Sequence, residues 1–268
     1  MAEDFFAGVQ QVDAKVGDLA FRTPILIRDS RIISAVFPTS AQRLRKLIGD
    51  RGLQPAQMLP GIGMVQLTAY EHRDSDIGPF NEFSIVIPLY SPRFPNLPIY
   101  NPYKSSRVKE VHNFLLHRAT DSETAVRILG DYFNWPQFLA SFSCEEDDDW
   151  VSCEVEDDAG LICRLRGRKV PSRRIGVVRI LVYTAQQPQP QRADINPEQS
   201  ATTREPGKAE LTLGGSHPIA VELSETLRST KPRIYNYGPR WQFMLYGPEA
   251  SSHGLSEDIR GEQVRKPR

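Results

Sequence analysis

Short runs of branched and aromatic residues alternate with polar turns along most of the chain. Within these runs apolar and polar residues tend to alternate, and this period of two is typical of β-strands that bury one face. The expected strands are residues 24–29, 31–37, 63–70, 83–90, 111–118, 141–144, 150–155, 161–165, 177–184, 208–213 and 235–246. This distribution predicts a fold that is dominated by β-structure.

Two segments carry helix signals instead. Thr39 and Ser40 are capping residue types before residues 41–48, and a glycine follows at position 49. The second helix begins at residues 121–124, where carboxylates occupy the first turn, and Pro136 prevents its continuation. Many strands, one prominent central helix and few crossover units favour a mostly β (α+β) fold: an antiparallel β-barrel with flanking helices.

Three stretches lack a regular pattern. Residues 1–22 are expected to form a loose or partly helical lead, and residues 251–268 a flexible polar tail. Residues 186–207 are rich in proline and polar side chains, which predicts a mobile loop. With these exceptions, we interpret residues 1–268 as a single domain.

The charge pattern argues against nucleic acid or a membrane as partner. Lys plus Arg and Asp plus Glu each total 33, so the formal net charge is zero. The basic run at residues 164–169 alternates with apolar residues and is typical of a solvated strand face. The acidic runs at residues 145–149 and 156–160 lack EF-hand spacing and are interpreted as hairpin turns.

The cysteine pattern and the hydropathy indicate a cytosolic protein. Cys144, Cys153 and Cys163 match no zinc spacing and are expected to be reduced thiols. The N-terminal residues lack the basic and apolar regions of a signal peptide, and no apolar stretch is long enough to cross a bilayer. The scattered histidines, including His72, are interpreted as surface or hydrogen-bonded residues, so no metal site is predicted.

Two segments resemble the acetoacetate decarboxylase superfamily. Residues 70–90, "YEHRDSDIGPFNEFSIVIPLY", are similar to its strand–turn–strand, in which a Gly-Pro-Tyr-Asn-Glu-like motif presents a buried glutamate. Residues 121–142, "DSETAVRILGDYFNWPQFLASF", resemble its helix and the following Pro-Lys turn. The resemblance implies a cone-shaped antiparallel β-barrel, and it implies a homo-oligomer because members often assemble into larger particles.

The resemblance breaks at the position of the covalent catalyst. In the decarboxylases the lysine after the proline forms a Schiff base with a β-keto acid, but this sequence has Gln137 there and Phe138 next. An amide nitrogen is not such a nucleophile, because its lone pair is delocalised into the carbonyl group. The family's Gly-Arg-Glu on the helix also differs, since residues 129–131 read Leu-Gly-Asp. Imine chemistry at this position is therefore excluded.

The resemblance implies two catalytic candidates, Glu82 and Gln137. Glu82 follows a tight turn among apolar residues, so we expect burial to raise its pKa and to make it a general acid or base. The alternative is a strand-end glutamate in water. Gln137 can donate and accept hydrogen bonds and so hold a substrate oxygen, or it can simply satisfy a backbone group after Pro136.

The expected substrate-binding residues surround those two. Phe133, Trp135 and Phe138 would form an apolar wall, with core packing as the alternative for at least one of them. Arg28 and Arg31 would meet a substrate carboxylate or pair with Glu82. The remaining candidates are aromatic, at the barrel interior or at the pocket mouth: Tyr70, Phe80, Tyr235 and Tyr237.

Three functions are compatible with this pattern. The first is a cofactor-free lyase or cyclase acting on a carbonyl-rich small molecule, which the resemblance implies to be polyketide-like. The second is a non-catalytic barrel that binds a small molecule. The third is a decarboxylase that uses one of the eight lysines of the chain at another position.

Overall fold

A closed β-barrel forms the centre of the molecule in the computed structural model, which describes residues 4–187 and 189–248. The strands of this described part are β1 (Val12–Val16), β2 (Leu19–Thr23), β3 (Ile25–Ser40), β4 (Gln57–Leu59), β5 (Ile62–Ser75), β6 (Phe80–Leu89), β7 (Glu110–Thr120), β8 (Gln137–Leu139), β9 (Ser141–Glu146), β10 (Trp150–Asp157), β11 (Gly160–Arg168), β12 (Val178–Tyr183), β13 (Gln191–Thr203), β14 (Ala209–Leu213) and β15 (Ile234–Leu245).

Seven of these strands make the barrel, in the order β12-β13-β15-β3-β5-β6-β7. The ring closes where β12 pairs with β7 in parallel, whereas the other neighbours in the ring are antiparallel. Closure leaves no free edge in the ring. The predicted mostly β fold, a barrel with flanking helices, is confirmed.

Four helices flank the barrel in the described part: α1 (Ala41–Ile48), α2 (Tyr100–Arg107), α3 (Glu123–Ala125) and α4 (Pro218–Thr226). The predicted helix at residues 41–48 is confirmed, although Ser40 makes no side-chain capping bond there. Ser122 does cap α3, since its hydroxyl accepts a hydrogen bond from the amide of Ala125 at 3.2 Å. The chain then continues as a π-helix, Val126–Tyr132.

The two faces of the barrel sheet bury different cores. The outer face packs against α1, α4 and a second sheet of order β14-β11-β10-β9. The other face carries Ile32, Phe80, Val86 and Phe243, with Trp135 from the segment after the π-helix. The rings of Tyr70 on β5 and Phe243 on β15 lie 6.0 Å apart although β3 separates these strands. Such a contact requires the concave side of the sheet, so this face is the barrel interior.

Two predictions about irregular segments are wrong. Most of the expected loop at residues 186–207 is β13, which is paired on both sides, with β12 and with β15. Its proline, Pro197, lies where the register with β15 shifts, so the missing amide breaks no regular ladder. Residues 1–22 were expected to be a loose or partly helical lead, but from Val12 onward they form the hairpin of β1 and β2, which turns at Gly17 with φ of 60°.

Helices α2 and α4 were not predicted, because neither presents an extended amphipathic pattern. The acidic runs do form the turns on either side of β10, as expected. The expected tail at residues 251–268 lies outside the described residues. No helix in the described part is long and apolar enough to span a bilayer.

The expectation of three reduced cysteines is wrong. Cys144 on β9 and Cys153 on β10 lie directly opposite each other and form a disulfide, while Cys163 is a buried free thiol. The sequence separation of 9 between them gave no hint of a pairing. Cross-strand register brings them together, and spacing alone could not establish that register.

Candidate functional site

Glu82 lies at the centre of a buried polar cluster inside the barrel. Its side chain is fully buried on β6, and its Oε1 accepts a hydrogen bond from Nη2 of Arg118 on β7. Arg118 is itself 9% exposed, and its guanidinium lies over the ring of Trp135 at 4.2 Å. The two charges therefore form a buried ion pair that is covered by an aromatic ring.

The expected rise in the pKa of Glu82 is wrong. Burial acts to raise the pKa of this carboxyl, but the charge of Arg118 and the nearby His72 outweigh it, so the pKa lies below its ordinary value. Prediction from the sequence accounted for the apolar surroundings and missed the arginine. Glu82 is therefore a carboxylate at neutral pH and a weak base on its own.

His72 supplies a second titratable group beside Glu82. It is 2% exposed, its Nδ1 is 2.7 Å from the Ser30 hydroxyl, and its Nε2 lies 3.8 Å from Glu82 Oε1. Its ring is packed against Tyr70 at 5.4 Å, Phe80 at 4.5 Å and Phe243 at 5.6 Å. The hydrogen bond to Ser30 agrees with its interpretation as a surface or hydrogen-bonded histidine, but its position next to the carboxylate was not predicted.

Gln137 belongs to a row of polar side chains that crosses five strands. Directly paired residues share a face of a sheet, and the pairs run in order through Ser34, Thr68, Ser84, Arg118 and Gln137. Thr68 lies two residues from Tyr70 on β5, so the whole row faces the barrel interior. Hydrogen bonds along it join Ser34 to Thr68 at 2.8 Å and Ser84 to Tyr70 at 3.4 Å.

Several buried polar atoms of this cluster have no hydrogen-bond partner. They are Oε2 of Glu82, Nε2 of His72, Nε of Arg118, Nε1 of Trp135, and both Oε1 and Nε2 of Gln137. An unpaired buried donor or acceptor costs about 1–3 kcal/mol, and native proteins contain few of them. These atoms are concentrated around one carboxylate, where they are available to hydrogen-bond a ligand.

The backbone before Gln137 is held in an unusual conformation. The π-helix ends beside this segment, and Asn134 has a φ of 51°, which is uncommon outside glycine. The Phe133 carbonyl accepts hydrogen bonds from the side-chain amides of Gln191 at 2.8 Å and Gln187 at 3.0 Å. π-helical turns are frequent at functional sites, and here the turn delivers Trp135 and Gln137 to the barrel interior.

The predicted aromatic wall is present in part. Phe80, Phe133, Trp135 and the partly buried Tyr70 share the interior core. Phe138 does not, because β8 is extended and consecutive side chains point to opposite faces; it packs against the outer core instead. Tyr235 and Tyr237 are also in the outer core rather than at a pocket mouth.

Neither predicted arginine reaches Glu82. Arg28 is 40% exposed and pairs with Asp76 at 2.5 Å and Asp74 at 3.6 Å. Arg31 is buried between the carboxylates of Glu71 and Glu146. Both lie on β3, whereas the partner of Glu82 comes from β7. Because side chains alternate along β7, the sequence "HRAT" at residues 117–120 implies that Arg118 and Thr120 share one face. Only the strand order identifies that face as the barrel interior.

Three cavities in the described part have volumes of about 520, 350 and 10 Å³, and neither Glu82 nor Gln137 lines any of them. The largest of these three lies between residues 204–211 and 229–233, outside the predicted site. None of these three cavities therefore connects Glu82 with Gln137.

None of the seven lysines in the described part is buried; each is exposed or half-buried. They are Lys15, Lys46, Lys104, Lys109, Lys169, Lys208 and Lys231, while Lys266 lies outside the described residues. Among the described residues, no group of three His, Cys, Asp or Glu side chains is arranged to hold a metal ion.

No family model matches the sequence, and neither does any curated protein. Solved structures do match. The chain is similar to acetoacetate decarboxylase from Legionella pneumophila, with a TM-score of 0.57 and 13% identity over 87% of this chain and 90% of that one. It is also similar to the enduracididine biosynthesis enzyme MppR, with a TM-score of 0.53 and 10% identity over 84% and 86% of the two chains. At these identities the comparisons establish a shared fold.

Proposed function

We propose that this protein is an enzyme that performs acid–base chemistry on a carbonyl-containing small molecule inside the barrel, as a lyase or cyclase and without a Schiff base. The observation that carries the proposal is the set of unpartnered polar atoms around the buried Glu82–Arg118 pair. The substrate class we propose is polyketide-like, with several carbonyl groups along one chain.

His72 and Glu82 move the proton in this mechanism. Nε2 of His72 is free to accept a proton from the carbon next to a carbonyl, and the Glu82 carboxylate at 3.8 Å stabilises the imidazolium that forms. Ser30 fixes the ring through Nδ1. The α C–H bond breaks and its electrons become an enolate, which needs stabilisation at the oxygen.

Gln137 and Trp135 provide that stabilisation. The side-chain N–H groups of both residues are buried and unpartnered, so they are available to donate to the enolate oxygen. One well-aimed donor of this kind can lower the activation free energy by about 3 kcal/mol. The enolate carbon then attacks a second carbonyl to close a ring, and the alkoxide formed from that carbonyl takes the proton from His72. Alternatively, the enolate expels a β-hydroxyl, which leaves as water with that proton.

An imine route is disfavoured by the lysines. A nucleophilic lysine needs burial or a neighbouring cation to be uncharged near neutral pH. The resemblance implies that Gln137 stands at the position of that lysine, and the described lysines are all at least partly exposed. The fold shared with acetoacetate decarboxylase and MppR supports an enzyme, and the altered residue supports a reaction that differs from decarboxylation through an imine.

The test is turnover with a matched control. Poly-β-keto thioesters of N-acetylcysteamine are incubated with wild type, Glu82→Gln and Glu222→Gln, and products are followed by mass spectrometry. Glu222 also pairs with a histidine, His117 at 3.0 Å, but its side chain is 36% exposed. We expect Glu82→Gln to lower kcat at least about 100-fold and Glu222→Gln to leave it unchanged.

Equal product distributions with wild type and with buffer would refute the proposed enzymatic activity. If Glu82→Gln kept full turnover, the proposed role of the carboxylate would be wrong. Binding of the thioester without turnover would instead support the second function, a non-catalytic barrel that binds a small molecule.

A further inference from the structure

The charges inside the proposed site cancel. Arg118 is the cation that contacts Glu82, and it is committed to that carboxylate by a hydrogen bond. The two arginines of β3 are neutralised elsewhere, Arg28 by Asp76 and Arg31 by Glu71 and Glu146. Arg31 and Arg118 are the buried arginines of the described part, which has no buried lysine, and both are paired. A ligand carboxylate would therefore enter a buried space without an unpaired arginine or lysine among the described residues, at a large desolvation cost.

The unpartnered atoms define the ligand's hydrogen bonds. Donors are Nε1 of Trp135, Nε of Arg118 and Nε2 of Gln137. Acceptors are Oε2 of Glu82 and Oε1 of Gln137, and Nε2 of His72 can serve in either role. A carbonyl oxygen satisfies the first set, and a hydroxyl or enol O–H satisfies the second.

We infer that the site takes an uncharged ligand that carries a carbonyl oxygen and, nearby, a hydroxyl or enol group: a β-hydroxy or β-keto ester or thioester, and not the free acid. This inference deepens the proposed function, because it names the substrate class of the same site. It separates this barrel from one built to receive a free β-keto acid.

The experiment compares binding of matched ligand pairs, independently of turnover. Isothermal titration calorimetry at about pH 7.5, where the acids are ionised, is run with β-hydroxyoctanoate against its methyl ester, and with β-ketooctanoate against its methyl ester. We expect wild type to bind each ester at least about tenfold more tightly than the acid. Equal or tighter binding of the acids, or no saturable binding of any of the four ligands, overturns the inference.

A charge variant tests the stated cause. In Glu82→Gln the cation of Arg118 loses its partner, so the preference should reverse towards the acid, while Glu222→Gln should retain the preference for the ester. An unchanged preference in folded Glu82→Gln would overturn the inference. If this variant does not fold, the comparison of esters and acids in wild type still decides the question.

The inference and the proposed function fail separately. Binding of the esters with no turnover of any substrate would reject the enzyme and retain the ligand class. Turnover with acids preferred over esters would reject the ligand class and retain the enzyme.

Discussion

The guanidinium of Arg118 donates a hydrogen bond to the carboxylate of Glu82 in the barrel interior, where Glu82 has no solvent exposure. This pair determines the electrostatics of the site. It keeps the pKa of Glu82 low despite burial, which without the pair would raise it. The pair also links β6 to β7. The register of β7 with β8 in turn places Gln137 beside Arg118.

Removing the arginine should cost stability at neutral pH. In Arg118→Met the Glu82 carboxylate becomes a buried charge without a partner, so we expect a loss of about 3–5 kcal/mol in the free energy of unfolding. Urea denaturation of wild type, Arg118→Met, Glu82→Gln and the double variant measures the coupling between the two residues. The double variant should be more stable than Arg118→Met, and strict additivity would contradict the pairing.

The stability contribution of Glu82 should depend on pH with opposite signs in wild type and in Arg118→Met. In wild type the pKa of Glu82 is lowered, so its stabilising contribution is present above the ordinary glutamate pKa and is lost as pH falls through the folded pKa. In Arg118→Met burial raises the pKa, so stability should be lost as pH rises. The penalty of the substitution should therefore shrink as the pH is lowered from about 7.5 to about 5. A penalty that is independent of pH would contradict this assignment.

Gln137 offers a test of whether its amide serves the fold or a ligand. Both amide atoms are buried and unpartnered, so Gln137→Leu should leave stability unchanged or raise it by about 1 kcal/mol. The same variant should weaken binding of a β-hydroxy ester about tenfold or more. Thermal denaturation and calorimetry measure the two effects.

Gln191→Leu is the matched control, because the Gln191 amide donates to the Phe133 carbonyl at 2.8 Å. Its loss should destabilise the protein by about 1 kcal/mol. If Gln137→Leu proved as destabilising as this control, the amide would be a structural group and its proposed role would be wrong.

A lysine at position 137 should introduce covalent chemistry. In Gln137→Lys the new amine lies beside Arg118, and both burial and the neighbouring cation lower the pKa of a lysine. Borohydride treatment in the presence of methyl acetoacetate should then give a covalent adduct, detected by mass spectrometry of the intact protein. Wild type should give none, since its described lysines are not buried.

Leu139→Lys provides the comparison, because Leu139 follows two residues later on β8 and is 48% exposed. Its amine should stay protonated and unreactive. An adduct in wild type would revive the decarboxylase that uses another lysine, and equal adducts in both variants would show that burial is not the cause.

Local pattern was sufficient for most strands and for the position of Glu82. Alternation of apolar and polar residues located β5, β6, β7 and β15, and the turn before Glu82 placed its side chain at the start of a strand. These features depend on neighbours in sequence. The loop prediction failed at residues 191–203, because prolines and polar residues normally mark loops. Here pairing with strands on both sides outweighs the low strand propensity.

The partners of Glu82 could not be predicted, because they depend on strand order. Arg118 is 36 residues away along the chain, and it meets Glu82 only because β6 and β7 are neighbours in the barrel. The same limitation placed Phe138 on the wrong face, since the orientation of β8 follows from its pairing with β7. The family resemblance implied that Glu82 is buried, but it did not indicate which cation neutralises the carboxylate.

Trp135 should contribute through its N–H group as well as through its ring. Trp135→Phe removes an unpartnered buried donor while retaining an aromatic surface below Arg118, so stability should change by less than about 1.5 kcal/mol and binding of a β-hydroxy ester should weaken about tenfold. Trp150→Phe is a close control, because Arg166 also lies over the Trp150 ring at 4.2 Å, outside the site. Both variants weaken a cation–π contact, but only Trp135→Phe also removes a donor from the proposed site. The control therefore separates the two effects. Equal losses of ester binding in the two variants, measured by calorimetry, would show that the Trp135 donor does not contact the ligand.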